Sequence, residues 1–174
     1  MSEQTIDRQE AIEAVRVSSM HFADLYFYFA KELVESLGTE KAKEIVRKVL
    51  FDRSIERAER MKKKAEATGK ERVPENIYCL TDVPFLGWVK ELGRDHCPYG
   101  AAWVKRYEEY PWFREFAAFY CDVTDTSVAE LFTGSYSHKL TKNVVLGDES
   151  CERIYFRDEK VAEGEYTYGK KEDR

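Results

Sequence analysis

The chain has 174 residues, of which 43% are hydrophobic and 35% charged, with 3 Trp, 11 Tyr and 10 Phe and a net charge of −5. That is one domain's length, too aromatic for a disordered chain and, with 9 Gly and 4 Pro, too poor in both for a collagen-like or linker-dominated one. The acidic balance argues against a general nucleic-acid binder, and the short apolar runs and polar start MSEQTIDRQE predict neither a membrane span nor a secretory leader, so the expected location is cytoplasmic.

Residues 8–37 read as one amphipathic helix, with Ala11, Val15, Phe22, Leu25, Tyr26, Phe29 and Leu33 recurring at spacings of three and four. The run Leu25–Ala30 is apolar all round, which predicts a central helix buried on most sides. Gly38 stops it, Thr39 can cap the next, and residues 40–67 form a second helix ended by Gly69, so the pair predicts an antiparallel hairpin. Residues 40–72 hold 12 basic and 7 acidic residues, a local net of +5. Such a run reads as a solvated helix face; the sharper alternative is a patch for an anionic ligand or partner.

A loop over 70–83 follows, with an extended piece at Ile77–Leu80, then short helices at Phe85–Leu92 and Pro98–Tyr110, the latter closed by Pro111. Ala117–Val123 alternates and reads as a strand, Thr126–Phe132 as a short helix ending at Gly134. Ser137–Leu146 and Cys151–Arg157 read as strands joined around Gly147–Asp148, a hairpin signal. The expected fold is α+β, an N-terminal helical half packed on a small C-terminal antiparallel sheet. It forms one domain over 1–157, followed by a polar tail over 158–174 that is loose or a short edge strand.

Three segments carry candidate chemistry. Cys97 precedes Pro98 and so sits at a helix N-cap, where backbone N–H groups and the helix dipole should lower its thiol pKa. In Phe119–Asp125, a strand would put Phe119, Cys121 and Val123 on one face and Asp122 on the other; Asp125 fits a helix N-cap, and either aspartate fits a general base. Cys151 opens the last strand, and hairpin pairing can bring part of the strand carrying His138 beside it. Cys97, Cys121 and Cys151 with a histidine could ligate zinc, although their separations carry no zinc signature. There is no phosphate-binding glycine loop, nucleophile elbow or H-E-x-x-H helix.

In this order, Cys97-Pro98-Tyr99, Tyr120-Cys121-Asp122-Val123-x-Asp125 and the Thr141–Leu146 strand running into Gly147-Asp148-x-x-Cys151-Glu152 resemble the L-2-amino-thiazoline-4-carboxylic acid hydrolase family. The resemblance covers about residues 20–157 and departs at Arg53-Ser54-Ile55-Glu56-Arg57, where members often carry glycines. It implies hydrolytic opening of a 2-aminothiazoline ring with release of a free thiol. Cys97 or Cys121, with Cys151 nearby, would act as nucleophile or hold a metal that activates water. Asp125 or Asp122 would be the base, and Arg53 or Arg57, with Tyr99 and His138, would bind the small-molecule substrate. The competing expectation is a non-enzymatic small-molecule or metal-binding sensor domain with a cysteine-bearing sheet.

Overall fold

A computed structural model describes residues 6–170. The first helix, α1 (Arg8–Leu37), starts where Asp7 accepts from the backbone N–H groups of Gln9 and Glu10 at 2.8 and 3.2 Å. It stops at Gly38, whose φ of 79° is open to glycine at little cost, and α2 (Thr39–Thr68) runs back antiparallel until Gly69 caps it in the left-handed conformation. The expected hairpin is therefore present. The expectation of a buried α1 is not met: Leu25, Tyr28 and Phe29 are 55%, 57% and 63% exposed. The apolar run is wider than the single stripe that the neighbouring helices cover.

The segment between Gly69 and Pro98 is a chain of short turns. Ile77–Leu80, expected to be extended, is one helical turn (α3), and two 3₁₀ segments replace the short helix expected over Phe85–Leu92. Buried Arg16 on α1 holds this segment. Its guanidinium donates to the carbonyls of Gly87 (2.7 Å), Asp95 (2.8 Å) and His96 (3.2 Å). The helix opened by Pro98 is short, α4 (Pro98–Trp103), and passes into a 3₁₀ turn at Val104–Arg106.

The largest correction concerns α5 (Phe113–Thr133), a single helix over both the strand expected at Ala117–Val123 and the helix expected at Thr126–Phe132. Phe113, Phe116, Ala117, Tyr120, Val123, Thr124, Ser127, Val128 and Leu131 are all buried and recur at helical spacing. The β-favouring Phe-Tyr-Cys-Asp-Val-Thr run is outweighed by that longer periodicity. In the core, Phe27 and Trp103 meet Phe113, and α2 packs along α5.

The protein is α+β, with a two-stranded antiparallel sheet of β1 (Tyr136–Lys142) and β2 (Glu152–Arg157). His138 pairs with Tyr155 and Leu140 with Arg153, and the register slips between Leu140 and Lys142. Since side chains alternate, Cys151, Arg153 and Tyr155 share one face. Over its described residues the tail folds back onto the helices. A last turn, α6 (Glu159–Ala162), buries Val161, and the fully buried Glu130 carboxylate accepts from Ser137 Oγ (2.6 Å), Thr167 Oγ1 (2.6 Å) and Thr167 N (2.9 Å). Gly169 lies against the Phe51 ring, where a Cβ would stand 2.7 Å from a ring carbon. The last four residues of the expected tail lie outside the described residues. No helix among the described residues is long and apolar enough to cross a membrane.

Candidate functional site

The three cysteines of separate sequence segments converge on one chamber of about 110 Å³. Cys97 reaches it from the start of α4, Cys121 from the middle of α5 and Cys151 from the start of β2. Cys121 and Asp125 lie one turn apart on α5 and face the same way, as i and i+4 must on a helix. Asp122 does not join them. It points to the far side of α5 and accepts a hydrogen bond from the Tyr168 hydroxyl. The strand reading had grouped Cys121 with Phe119 and Val123; on the helix Phe119 meets Tyr168 and Val123 enters the core.

All three thiols are held protonated. Burial pushes Cys97 above its ordinary value, and the Gly100 N–H, 3.5 Å from its Sγ, opposes this without winning. Cys97 does occupy the N-cap as expected, but the lowered pKa expected there is overturned, because the hydrogen bonds from the Gly100 and Tyr99 backbone and the Trp88 side chain do not replace lost hydration. Burial pushes Cys121 well up, and the Asp125 carboxylate adds to it. Burial also raises Cys151, against a backbone hydrogen bond from Val144 and the charge of Arg153.

Asp125 is held on the wall by Arg153, 2.9 Å away. Two further guanidiniums come from α2. Arg57 is buried and engaged by Asp82 at 2.9 Å, which also takes Arg60 at 2.6 Å. Burial pushes the Asp82 carboxyl up, but the two arginines win and hold it below the usual range. Arg53 lies against the Phe22 ring, 5.6 Å from its centre, and makes no ion pair among the described residues. Of the chamber's arginines Arg53 is thus the one without an ion pair among the described residues. The chamber also offers a polar group without a hydrogen-bond partner among the described residues: Thr124 Oγ1, on a residue 4% exposed. A buried, unpaired hydroxyl costs about 1–3 kcal/mol, so its position on a cavity wall points to a ligand atom. Tyr99 and Tyr120 complete this side; burial keeps the Tyr99 hydroxyl protonated, against the pull of Arg53 and Arg57.

Cys97, Cys151, Arg153, Tyr78, Phe85 and Trp88 also line an outer vestibule of about 750 Å³, which adds Lys90 and His96. The chamber is therefore the inner end of a larger cleft, and Arg16 fixes the segment that forms its rim. His138 is absent from both linings. It lies behind Tyr155, ring centres 5.2 Å apart, with Nδ1 3.3 Å from Thr126 Oγ1 and Nε2 without a hydrogen-bond partner among the described residues.

Arg153, Thr124 and Tyr120 were missed by the sequence reading. The period-two step from Cys151 to Arg153 was a usable signal for the first. Thr124 needed the helical register of α5. The zinc reading is not met: among the described residues no three His, Cys, Asp or Glu side chains stand together as metal ligands. The thiols are spread over the chamber walls, and His96 turns Nδ1 to the Gly93 carbonyl 2.9 Å away.

His138 makes the fold sensitive to pH. Burial holds its imidazole below the ordinary value, with Arg153 on β2 adding and Asp125 and Asp122 on α5 opposing. The unfolded chain takes the proton near pH 6.5 while the folded chain resists it. Stability is complete above that pH and is lost as pH falls towards the depressed folded value, by up to about 1.4 kcal/mol per pH unit. His138→Gln is expected to flatten Tm against pH between 6.5 and 5; an unchanged slope in that variant would assign the loss to other groups.

No family model matches the chain, and neither a curated protein nor a solved structure matches it.

Proposed function

We propose that the cleft hydrolyses a small cyclic amidine that carries a carboxylate, of the L-2-amino-thiazoline-4-carboxylate ring-opening type. The observation that carries this reading is the charge arrangement of the chamber. Asp125 presents a carboxylate to a cationic amidine, and Arg53, without an ion pair among the described residues, offers its guanidinium to the substrate carboxylate. Arg57 is occupied by Asp82, so of the two expected arginines Arg53 is the anchor.

Protonated thiols make poor nucleophiles, so water attacks and Asp125 is the base. The water oxygen bonds to C2 of the ring. The C2–S bond breaks with its electron pair going to sulfur; the ring nitrogen already carries the amidinium proton, so of the two water protons the first leaves to solvent and the second ends on sulfur. Asp125 holds the second of these between the steps. The product is an N-carbamoyl cysteine with a free thiol, and Thr124 Oγ1 is placed to hydrogen-bond the reacting ring. Cys97, Cys121 and Cys151 form a neutral wall around it.

The test is colorimetric thiol release from L-2-amino-thiazoline-4-carboxylate. Arg53→Gln is expected to raise KM at least tenfold with kcat within a few-fold, and Cys121→Ser to keep kcat within about tenfold. Loss of turnover in Cys121→Ser with substrate still bound would make that thiol the nucleophile. Binding without any thiol release would leave a small-molecule-binding domain.

A further inference from the structure

The chamber takes a small ring, at about 110 Å³, but it opens into a vestibule of about 750 Å³ that such a ring leaves empty. We propose that the vestibule is a binding site for an aromatic group carried by the substrate on the exocyclic nitrogen of its amidine. The inference deepens the hydrolytic reading and rests on it for the way the ring sits, not for its turnover.

Three observations carry it. The first is direction. Arg53 lines the chamber and not the vestibule, whereas Arg153, which holds Asp125 at 2.9 Å, lines both. Asp125 is therefore at the vestibule end of the chamber. With the carboxylate on Arg53 and the amidine at Asp125, a substituent on the exocyclic nitrogen leaves through the neck between Cys97 and Cys151.

The second is the wall along that path, which is aromatic without a break. Tyr99 in the chamber meets Trp88 (ring centres 5.4 Å apart, 80°), Trp88 meets Phe85 (5.4 Å, 81°), and Phe85 meets Tyr78 (5.4 Å, 53°). Tyr78 and Phe85 are 51% and 38% exposed, so these rings still have faces and edges to offer. A planar ring entering here can continue the edge-to-face series, which a saturated ring of the same size cannot. The charges at the mouth have both signs, Lys90 and Glu149, and select neither an anionic nor a cationic substituent.

The third is that the wall is already formed. Arg16 holds the carbonyls of Gly87, Asp95 and His96, at both ends of the segment that carries Trp88. Gly87 lies so close to α1 that a Cβ would stand 2.9 Å from Val15 Cγ1. A wall fixed before binding spends little affinity on ordering. The vestibule also falls in the usual size range of ligand pockets, about 300–1,000 Å³, which the chamber alone does not reach. The bonds that change are those of the unsubstituted ring. The substituent stays on its nitrogen, and the product is an N-carbamoyl cysteine with the aromatic group on the terminal nitrogen and a free thiol.

The test compares unsubstituted 2-amino-thiazoline-4-carboxylate with its 2-benzylamino and 2-cyclohexylmethylamino forms on the full chain. Where thiol is released, kcat/KM gives the comparison; where it is not, Kd from calorimetric titration gives it. The benzyl compound is expected to be favoured at least about tenfold over the unsubstituted one and at least about threefold over the cyclohexylmethyl one. Phe85→Ala, at a partly exposed position, should cut the tenfold preference to about threefold or less, and Phe85→Tyr, which keeps the ring, should retain it. The preference is a ratio within one variant, so effects on the shared ring cancel. No benzyl preference, a cyclohexylmethyl compound as good as the benzyl one, or a preference that survives Phe85→Ala would overturn the proposal. Thiol release from the unsubstituted compound without benzyl preference would leave the hydrolytic reading standing and remove this one. A benzyl preference in Kd with no thiol release from any compound would do the reverse, and no binding of any compound would overturn both.

Discussion

Asp125→Asn is expected to lower thiol release from L-2-amino-thiazoline-4-carboxylate by about 10²–10⁴-fold, the usual contribution of a positioned general base. The change keeps the shape of the side chain and removes its ability to accept the proton from water. Its effect on the fold should be small. The Asp125–Arg153 pair is about one-third exposed on each side, and pairs of that kind contribute about 1 kcal/mol or less. Turnover and stability should therefore separate: kcat collapses while Tm moves by a few degrees at most. The same variant tests the thiols, because the Asp125 charge is the second cause, after burial, of the raised Cys121 pKa. Removing it should let Cys121 ionise at lower pH, visible as faster alkylation by iodoacetamide. Thiol release within threefold of the parent would remove Asp125 from the chemistry.

Trp103→Ala is expected to cost about 3–5 kcal/mol, a large part of the 5–15 kcal/mol by which domains of this size are stable. Trp103 is fully buried at the centre of the aromatic core, touching Tyr26, Tyr99, Phe113 and Tyr120. Its indole N–H donates to the Ala23 carbonyl at 2.8 Å and so pins α4 to α1. Alanine leaves a cavity that these rings fill only partly. Trp103→Phe keeps most of the volume and loses the hydrogen bond, so a cost nearer 1–2 kcal/mol is expected. Urea unfolding of the two variants gives the measurement, read as a shift in midpoint at constant m. Equal, small losses in both would show that the core repacks around this position. Tyr99 and Tyr120 line the chamber on their other side, so the phenylalanine variant should also raise KM before it affects kcat.

Local pattern made part of this architecture legible. The α1–α2 hairpin, its glycine stops and the β1–β2 hairpin rest on contacts close in sequence, and each appears within a residue or two of its expected bounds except the first strand, which was expected to reach Leu146 but ends at Lys142 and gives way to a 3₁₀ turn at Val144–Leu146. Three misreadings share one cause. The Ala117–Val123 segment has strand-like composition, yet it is helical because Phe116, Tyr120 and Val123 pack between α1, α2 and α4. The Leu25–Ala30 run looked buried on most sides, yet part of it faces outward because no further element covers it. The N-cap position of Cys97 was read correctly, but its pKa was not, since burial depends on residues far away in the chain.

The sequence by itself determined an α+β chain with two long helices, a closing hairpin and three separated cysteine segments, because periodicity and turn residues act over a few positions. Only the tertiary structure decided that Cys97, Cys121 and Cys151 share a chamber across separations of 24 and 30 residues, and that their thiols stay protonated. It also decided that Arg57 is taken by Asp82 while Arg53 is left without an ion pair among the described residues. Desolvation and ion pairing are set by which distant groups meet, and that is a property of packing, not of local spacing.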